Sequence, residues 1–426
     1  MAFEVQTKVF NLNTSTGNQT FTFNDTSYTP NCALLMCIAD ETEDQLSSPD
    51  NILGIGACDD LGNQWSFMAT DEDGQDPTDS VRRCEDTQCM RINLPGSGTT
   101  DFEISFVSFG AGTITVSIDN APAGAYEIAI TVYGGSDIAG KYKVGTFTSP
   151  QTGDDTNFAL DTGIPLSALI LAGTAQSPIA NNANDMMFQI GLTDGTNQIV
   201  SYVVSDNSQT TSECRRIMRN DRTFLRMNPD GGQSGEMSIT NFSGNIANFN
   251  VDDSFPGAHI GGYVALGGVN CQVDTVVSPD NGSTDTNRVV TTGFKSKWLM
   301  QTNVAHNAIQ TSSATDIRFN MGMGIDSTQN TTWSGGGNST NGRDTPSENS
   351  QTSGFQDQDE FYLKVNVGGT LVSKAHIEEF GLTDYTIRWT DDDSTNYLGV
   401  MAIGQKIKPE RSYPRGANRG IKRGVI

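Results

Sequence analysis

The sequence lacks the segments that would make it helical or membrane-spanning. No stretch of ten or more residues places apolar side chains at helical spacing between helix caps. No apolar run reaches the roughly 20 residues that a membrane helix needs. The first residues, MAFEVQTKVF, do not place a basic segment before an apolar core, so we expect no Sec signal peptide. These absences favour an all-β chain without a membrane partner.

Familiar catalytic motifs are also missing. The sequence contains no GxSxG, HExxH, P-loop or GxGxxG pattern. Its three histidines, His259, His306 and His376, are far apart in the chain, and His259 is expected at a strand edge. Acidic pairs are so frequent that no single pair stands out as the acid and base of a glycoside hydrolase. We therefore expect no enzyme, and hydrolysis of a surface polysaccharide stays an alternative without residues to carry it.

Charged residues are scarce, at 18%, and unevenly distributed. The net charge is −24, yet the last 21 residues hold seven basic side chains against Glu410 and carry +6, which leaves −30 for the body. An acidic body argues against nucleic acid as a partner, and salt adaptation is an alternative cause of the acidity. We expect the basic C-terminal arm, 406–426, to bind a partner; a solvated tail without a partner is the alternative. Its basic residues are Lys406, Lys408, Arg411, Arg415, Arg419, Lys422 and Arg423.

A ten-residue apolar segment occurs three times in the chain. It begins at Tyr126, His259 and Tyr397, and the first two copies end in a Gly-Gly pair. Such a segment predicts a strand that stops where glycine lets the backbone turn. Further runs repeat at the same spacing of about 135 residues, among them the apolar runs that follow Pro30 and Pro165. The run after Pro30 is continuous, which predicts a strand buried on both faces.

The repeats predict three tandem β-sandwich domains of jelly-roll type, each of about 130 residues. We place the boundaries at 1–137, 138–275 and 276–405, followed by the arm. The linker after Val273 is long and rich in turn residues, so the third domain is expected to have more freedom than the other two. The segment 334–360 is polar and of low complexity, and we expect a long exposed loop there.

Seven cysteines are spread unevenly, five of them before residue 90 and none after Cys271. A scaffold that depended on disulfides or metal would repeat these ligands in every domain, so we interpret them as small apolar side chains. A disulfide between Cys84 and Cys89 is the alternative, and a zinc site there lacks the usual spacing.

Two local motifs are candidates for a site. Asp71, Asp73 and Asp76 surround a glycine and could supply oxygen ligands for Ca²⁺, although the loop lacks the length of an EF-hand; a solvated acidic turn is the alternative. Two arginine pairs, Arg82-Arg83 and Arg215-Arg216, occupy similar places in the first two repeats. We expect these arginines to tie acidic turns together at a sandwich edge or a subunit contact.

The repeat resembles a module of uncharacterised virion proteins of tailed phages. The first copy carries the resemblance along nearly its full length, in TGNQTFTF, Pro30-NCALL, the arginine pair and the step APAGAYEIAITVYGG. The second copy matches over most of its length. The third matches weakly and lacks the proline, the second arginine and the final glycine.

The resemblance implies a non-enzymatic virion protein, a surface-displayed decoration or appendage subunit of the phage head or tail. Its partners would be other virion proteins and further copies of itself, and by analogy we expect a homotrimer. The alternative is a tail-fibre adhesin that binds a host receptor or surface glycan. That alternative needs an exposed aromatic surface, for which the 334–360 segment and four tryptophans are the candidates, although Trp298 and Trp389 sit in strand patterns that favour the core. The tryptophans are Trp65, Trp298, Trp333 and Trp389.

Overall fold

A computed structural model describes residues 3–405 except 41–45, 47, 152, 178, 280–284, 307–308, 310–312, 326–331, 343–350, 367–368 and 393–394. Within this part of the chain every regular element is a β-strand, and there is no helix that could cross a membrane. The predicted all-β fold class is therefore confirmed. The strands form six sheets, two for each third of the chain, and we call these thirds block 1 (3–135), block 2 (142–266) and block 3 (270–405).

Block 1 contains the first ten strands. They are β1 (Phe3–Asn11), β2 (Gly17–Thr22), β3 (Pro30–Cys37), β4 (Asn51–Asp59), β5 (Gln64–Asp71), β6 (Ser80–Glu85), β7 (Met90–Asn93), β8 (Thr100–Gly110), β9 (Thr113–Asn120) and β10 (Glu127–Gly135). A large sheet has the order β1-β10-β3-β4-β5-β6, and a small sheet has the order β2-β9-β8-β7. The described pairings within the block are antiparallel.

Block 2 contains the next eleven strands. They are β11 (Tyr142–Thr148), β12 (Thr156–Asp161), β13 (Ala168–Gln176), β14 (Asn182–Asn184), β15 (Met186–Thr193), β16 (Gln198–Ser205), β17 (Cys214–Arg219), β18 (Phe224–Met227), β19 (Gln233–Ser243), β20 (Ile246–Asp253) and β21 (Ile260–Leu266). The large sheet has the order β11-β21-β13-β15-β16-β17, and the small sheet has the order β12-β20-β19-β18. Strand β14 joins the large sheet of block 1 beside β6.

Block 3 contains the last eleven strands. They are β22 (Asn270–Val277), β23 (Thr286–Thr291), β24 (Lys295–Asn303), β25 (Ala314–Thr315), β26 (Ile317–Ile325), β27 (Thr332–Ser339), β28 (Thr352–Asp357), β29 (Tyr362–Val365), β30 (Leu371–Phe380), β31 (Asp384–Asp392) and β32 (Tyr397–Gln405). The sheets have the orders β22-β32-β24-β26-β27-β28 and β23-β31-β30-β29. Strand β25 joins the large sheet of block 2 beside β17.

Inner strands of the large sheets, among them β3, β4, β13 and β15, are buried on both faces, as the continuous apolar run after Pro30 predicts. In β3, alternate side chains point to opposite faces of the sheet. Leu34 and Met36 belong to a core shared with the other blocks. Leu35 and Cys37 belong to the core between the two sheets of block 1. Each large sheet therefore lies between the shared core on one face and the small sheet of its own block on the other.

The three large sheets face one another across that shared core. It contains fully buried side chains from all three blocks. Leu53, Phe188 and Phe319 occupy corresponding positions in β4, β15 and β26, and the rings of Phe188 and Phe319 meet edge to face at 5.3 Å. Trp298 of block 3 meets Tyr133 of block 1 in the same way, also at 5.3 Å. The blocks therefore pack against one another through apolar side chains and share one core.

The contacts between blocks form a closed cycle. The first strand of each block packs on the large sheet of the preceding one: β11 on β4 and β5, β22 on β15 and β16, and β1 on β26 and β27. The last contact joins block 1 to block 3, although these blocks are far apart in the sequence. The chain therefore forms a ring of three similar blocks with approximate threefold symmetry.

The predicted linker before the third block begins inside a strand. Its first residues, from Val273, belong to β22, which pairs with β32 along its whole length, and Val273 and Val276 are buried. The boundary placed at 275 falls inside this strand. The segment that joins blocks 2 and 3 is the short stretch 267–269, which leaves little room for relative movement.

The expected long exposed loop at 334–360 is also wrong in its described part. Residues 334–339 belong to β27 and residues 352–357 to β28, and both strands are buried. The glycines in β27 serve close packing: a Cβ on Gly336 would collide with the Phe319 carbonyl, and one on Gly337 with the Asn51 side chain of block 1. The small residues of this low-complexity segment allow close packing where two blocks meet, and they do not mark a solvated loop.

The seven cysteines are free thiols, six of them buried and Cys271 half-buried. Cys32 and Cys84 lie in the shared core, and Cys37, Cys58 and Cys89 lie between the sheets of block 1. This agrees with their interpretation as small apolar side chains.

Candidate functional site

The junctions between blocks are built by arginines that clamp a strand of the next block. Arg82, on β6, donates from Nη1 to the backbone carbonyls of Asn184 and Asp185, the latter at 2.9 Å. Its guanidinium also lies 3.8 Å from the Asp185 carboxylate. Arg216, on β17, does the same to Thr315 and to Asp316, at 2.8 Å for the latter. Each arginine therefore closes the end of β14 or β25 against its sheet.

Only one arginine of each pair has this role. Strand register places Arg82 opposite Ala183 and Arg216 opposite Ala314, so these two correspond. Arg83 instead pairs with Glu85, and Arg215 donates to the Asn341 side chain at 2.8 Å. The predicted match of pair to pair is therefore shifted by one residue. Adjacent strand residues face opposite sides of a sheet, so the shift separates the two roles.

Burial weakens but does not remove the charge of the clamping arginines. Burial lowers the pKa of Arg216 to about 10, with a further decrease from Arg318 and an opposing effect from Asp316. Burial also lowers the pKa of Arg82, against the charges of Tyr202 and Asp185. Both guanidinium groups stay protonated at neutral pH and make charge-assisted hydrogen bonds.

The third junction, between blocks 3 and 1, has no arginine at the corresponding position. That position in β28 is Gly354, two residues after the strand begins, as Arg82 and Arg216 are in theirs. Gly354 forms two backbone hydrogen bonds with Ser48 of block 1, at 2.9 and 3.0 Å. Among the residues that the structure describes, the ring is therefore closed by the same kind of strand contact, reduced to a single bridge.

A second set of bonds follows the same cycle. In each block the N–H that opens the sixth strand of the large sheet donates to a side-chain oxygen of a neighbouring block. The pairs are Ser80 to Asn207 at 2.7 Å, Cys214 to Asn341 at 2.7 Å, and Thr352 to Asp73 at 2.9 Å. Each acceptor residue in turn donates its own backbone N–H to an aspartate of the same block. These bonds join Asn207 to Asp185 at 3.0 Å, Asn341 to Asp316 at 2.9 Å, and Asp73 to Asp50 at 2.7 Å.

Near the centre of the ring, three corresponding residues meet. Asp71, Ser205 and Ser339 are the last residues of β5, β16 and β27, and all three are buried. Burial raises the pKa of Asp71 to about 7, while hydrogen bonding to Ser339 and Ser205 opposes the rise. The charge of Asp206, in block 2, raises it further. An acid that is half protonated near neutral pH therefore lies where the blocks converge.

The three candidate calcium ligands do not converge. Asp71 is buried among the blocks, Asp73 accepts the Thr352 N–H, and Asp76 is exposed. Across the described ranges no group of three or more His, Cys, Asp or Glu side chains is placed to hold a metal ion. Two of these aspartates, Asp71 and Asp73, instead make contacts between blocks.

The tryptophans cannot form a sugar-stacking surface. Trp65, Trp298, Trp333 and Trp389 are all fully buried, as the strand patterns of Trp298 and Trp389 indicate, so the surface that the adhesin alternative needs is not formed by these residues. His259 lies at the start of β21, as expected. Burial, together with the charges of Arg226 and Arg82, lowers its pKa to about 4, so the ring is neutral at pH 7.

The basic arm, 406–426, lies outside the described residues. Its starting point is described: Gln405 pairs with Lys295, and Lys297 of the same strand donates to the Phe3 carbonyl and to Glu4 of block 1. The arm thus begins beside the junction of blocks 3 and 1. This end of the large sheet is opposite to the end that carries Ser339.

No protein-family model matches this chain, and no curated protein matches it either. The geometry must therefore carry the functional argument by itself.

Sequence reasoning missed the central residues, although a signal was present. Asp71, Ser205 and Ser339 are spaced by 134 residues each, and so are the acceptors Asp73, Asn207 and Asn341. Constant spacing of small polar residues at strand ends marks equivalent positions. This spacing alone does not show that the three positions meet in space.

Removing a clamp should weaken its junction. We expect Arg82→Met to lower the free energy of unfolding by about 1–3 kcal/mol, because the carbonyls of Asn184 and Asp185 lose a buried charged donor. Thermal or urea unfolding measures this. Arg388→Met is the matched control, since Arg388 makes ion pairs with Asp285 and Glu378 at the surface and should be nearly neutral. Equal effects of the two substitutions would contradict the clamp.

Proposed function

We propose that this chain is a non-enzymatic structural protein of a bacteriophage virion, a surface-displayed decoration or appendage subunit anchored by its basic arm. In this proposal each block is a β-sandwich domain of jelly-roll type. The observation that supports it best is the closed ring: the large sheets pack against one another, and the small sheets carry the exposed residues of strands such as β2, β12 and β23. Such a body suits display in many copies.

Charge supports the choice of anchor. The body carries −30 and the arm +6, so the arm fits an acidic protein surface, including that of another copy. The proposed partners are other virion proteins and the chain itself; nucleic acid and membrane are not among them. The homotrimer remains a proposal by analogy, and one chain already supplies a threefold arrangement of blocks. The adhesin alternative would need a surface other than the four tryptophans, which are buried.

Deletion of 407–426 tests the anchor. We expect the shortened protein to fold, because the core of the ring lies within the described residues, and to be absent from purified particles. The copy number per particle, from quantitative mass spectrometry, is the measurement. A second variant replaces the seven basic residues of the arm by glutamine and keeps its length; it should also be lost if charge is the cause. Retention of the deletion variant at normal copy number would rule out anchoring by the arm.

A further inference from the structure

Block 3 has an open cleft between its two sheets. The cleft has a volume of about 490 Å³ and lies between β22, the edge strand of the large sheet, and β23, the edge strand of the small sheet. Its lining combines four valines with polar side chains; the residues that matter are Gln272, Asp274, Val276, Arg288, Val290 and Thr291. This volume lies in the usual range of ligand sites, about 300–1,000 Å³.

Aromatic rings fill the same place in block 1. There Phe10 of β1 packs against Phe21 of β2, with ring centroids 4.8 Å apart. Phe23 adds an edge contact to Phe10 at 5.2 Å. In block 2, Phe147 of β11 packs against Phe158 of β12 at 6.0 Å. The open edge of the sandwich is thus closed by a pair of phenylalanines in both blocks.

Strand register identifies the corresponding residues of block 3. Phe10, Phe147 and Val276 each pair with the second residue of the closing strand, β10, β21 or β32. Phe21 and Val290 likewise pair with the second residue of β9 and of β31. Block 3 therefore has two valines where block 1 has two phenylalanines. The cleft is the space of the missing rings.

The segment that follows block 3 begins close to this cleft. Strand β32 pairs with β22 so that Gly404 lies opposite Asn270, and the cleft begins two residues further along β22, at Gln272. That step is about 7 Å of strand. The arm after Gln405 has 21 residues and can reach about 70 Å when extended. So short a tether gives the arm an effective concentration of about millimolar at the cleft, which favours binding within one chain.

The composition of the arm fits the cleft. Tyr413 is its single aromatic residue, and it lies between Arg411 and Arg415. A tyrosine ring can cover the valine floor while its hydroxyl meets the polar wall. The flanking arginines suit a body of strongly negative charge, and Asp274 is an acidic group within the cleft itself. The arm occurs once in the chain, after the one block that lacks the phenylalanine pair.

We propose that the cleft between β22 and β23 is the docking site of the chain's own arm, with Tyr413 in the place of the missing phenylalanines. Docking at Tyr413 holds the first half of the arm against block 3 and leaves the basic residues from 415 to 423 for a partner. The proposal concerns the free protein and goes beyond the anchoring function. It stands or falls independently of particle attachment.

Photo-crosslinking in the purified full chain tests the proposal. A benzophenone amino acid at position 413 should crosslink to 272–277 and 286–291 of the same chain, identified by mass spectrometry. Mixing heavy and light protein separates crosslinks within a chain from those between chains. The same probe at position 412, a serine in the native chain, is the control and should give a weaker yield at these strands. Crosslinks that map elsewhere, or only between chains, would overturn the proposal.

Two variants complete the test. Val290→Phe fills the cleft with the ring that block 1 uses, so it should abolish the crosslink while the protein stays folded. Tyr413→Ala should raise amide hydrogen exchange in β22 and β23 by about tenfold, the change that burial of one aromatic side chain supports. Ser412→Ala should leave the exchange unchanged. Unchanged exchange in Tyr413→Ala, or a full crosslink yield in Val290→Phe, would count against docking. Neither readout involves particles, so failure here leaves the anchoring test intact.

Discussion

Trp298→Ala is expected to lower the free energy of unfolding by about 3–5 kcal/mol, the usual cost of truncating a large buried aromatic. The effect should extend beyond block 3. Trp298 donates from Nε1 to the Thr131 hydroxyl of block 1 at 3.3 Å and packs edge to face on Tyr133. Both partners lie in β10, the closing strand of block 1. Removing the indole therefore opens the seam between blocks 3 and 1, where the backbone pairing within the described ranges is a single bridge.

Hydrogen exchange resolved by strand measures this effect. We expect faster exchange in β1 and β10 of block 1 as well as in β24. Trp389→Ala is the matched control, because Trp389 is equally buried but lies between the two sheets of block 3. It should destabilise block 3 and leave β10 protected. If Trp298→Ala changes exchange only within block 3, the blocks do not depend on one another as the ring requires.

Stability is expected to fall as pH rises from about 4 to about 7, with Asp71 as a main cause. Its pKa is about 7 in the folded protein, above its ordinary value of 3.8, because the carboxyl group is buried. Folding therefore favours the protonated form. The contribution of Asp71 is fully present below pH 4 and is lost as pH passes through 7. A shift of this size corresponds to a few kcal/mol, on the order of 1.4 for each pH unit.

Substitution isolates the contribution of Asp71 from other acids of the region, such as Asp206, whose pKa burial raises to about 6. Asp71→Asn keeps the volume, and Asp71→Ser introduces the residue that blocks 2 and 3 have at this position. Both should be more stable than the native protein at pH 8 and should flatten the profile between pH 5 and 8. Asp76→Ser, at an exposed acid of the same turn, should leave the profile as it is. If both Asp71 variants were as stable as the native protein at pH 8, or less stable, the buried charge of Asp71 would not lower the free energy of unfolding.

Much of the local structure could be predicted from the residues. Alternation and glycine-ended apolar runs located the strands at Glu127–Gly135, Ile260–Leu266 and Tyr397–Gln405. The failures have a common cause. Segment 334–360 reads as a polar loop, yet its described part packs against block 1. Glycine and serine are loop residues by composition, but they are also the residues that fit where backbones approach closely.

The correspondence of residues between repeats was the second feature that the sequence could not decide. The arginine pairs look equivalent in sequence, but Arg82 corresponds to Arg216 and not to Arg215. The glycine that corresponds to Gly56 and Gly191 is Gly322, although Gly324 lies in the same glycine-rich run and looks equivalent in sequence. In each case a Cβ would collide with the carbonyl of the residue before a small-sheet strand. A shift of two residues leaves a pattern of period two unchanged, and a shift of one is hidden where two identical residues stand side by side, as in the arginine pairs. Only hydrogen-bonded pairing decides the register.

The sequence by itself determined the all-β class, the period of the repeats, the use of cysteine as an apolar residue and the burial of β3 on both faces. These follow from local composition and alternation, which act over a few residues. The tertiary structure decided what covers the second face of each large sheet. That cover is the large sheets of the other two blocks, and with it come the closed ring, the buried Asp71 and the open cleft of block 3. All of these depend on contacts between residues more than a hundred positions apart, for which one sequence carries no local signal.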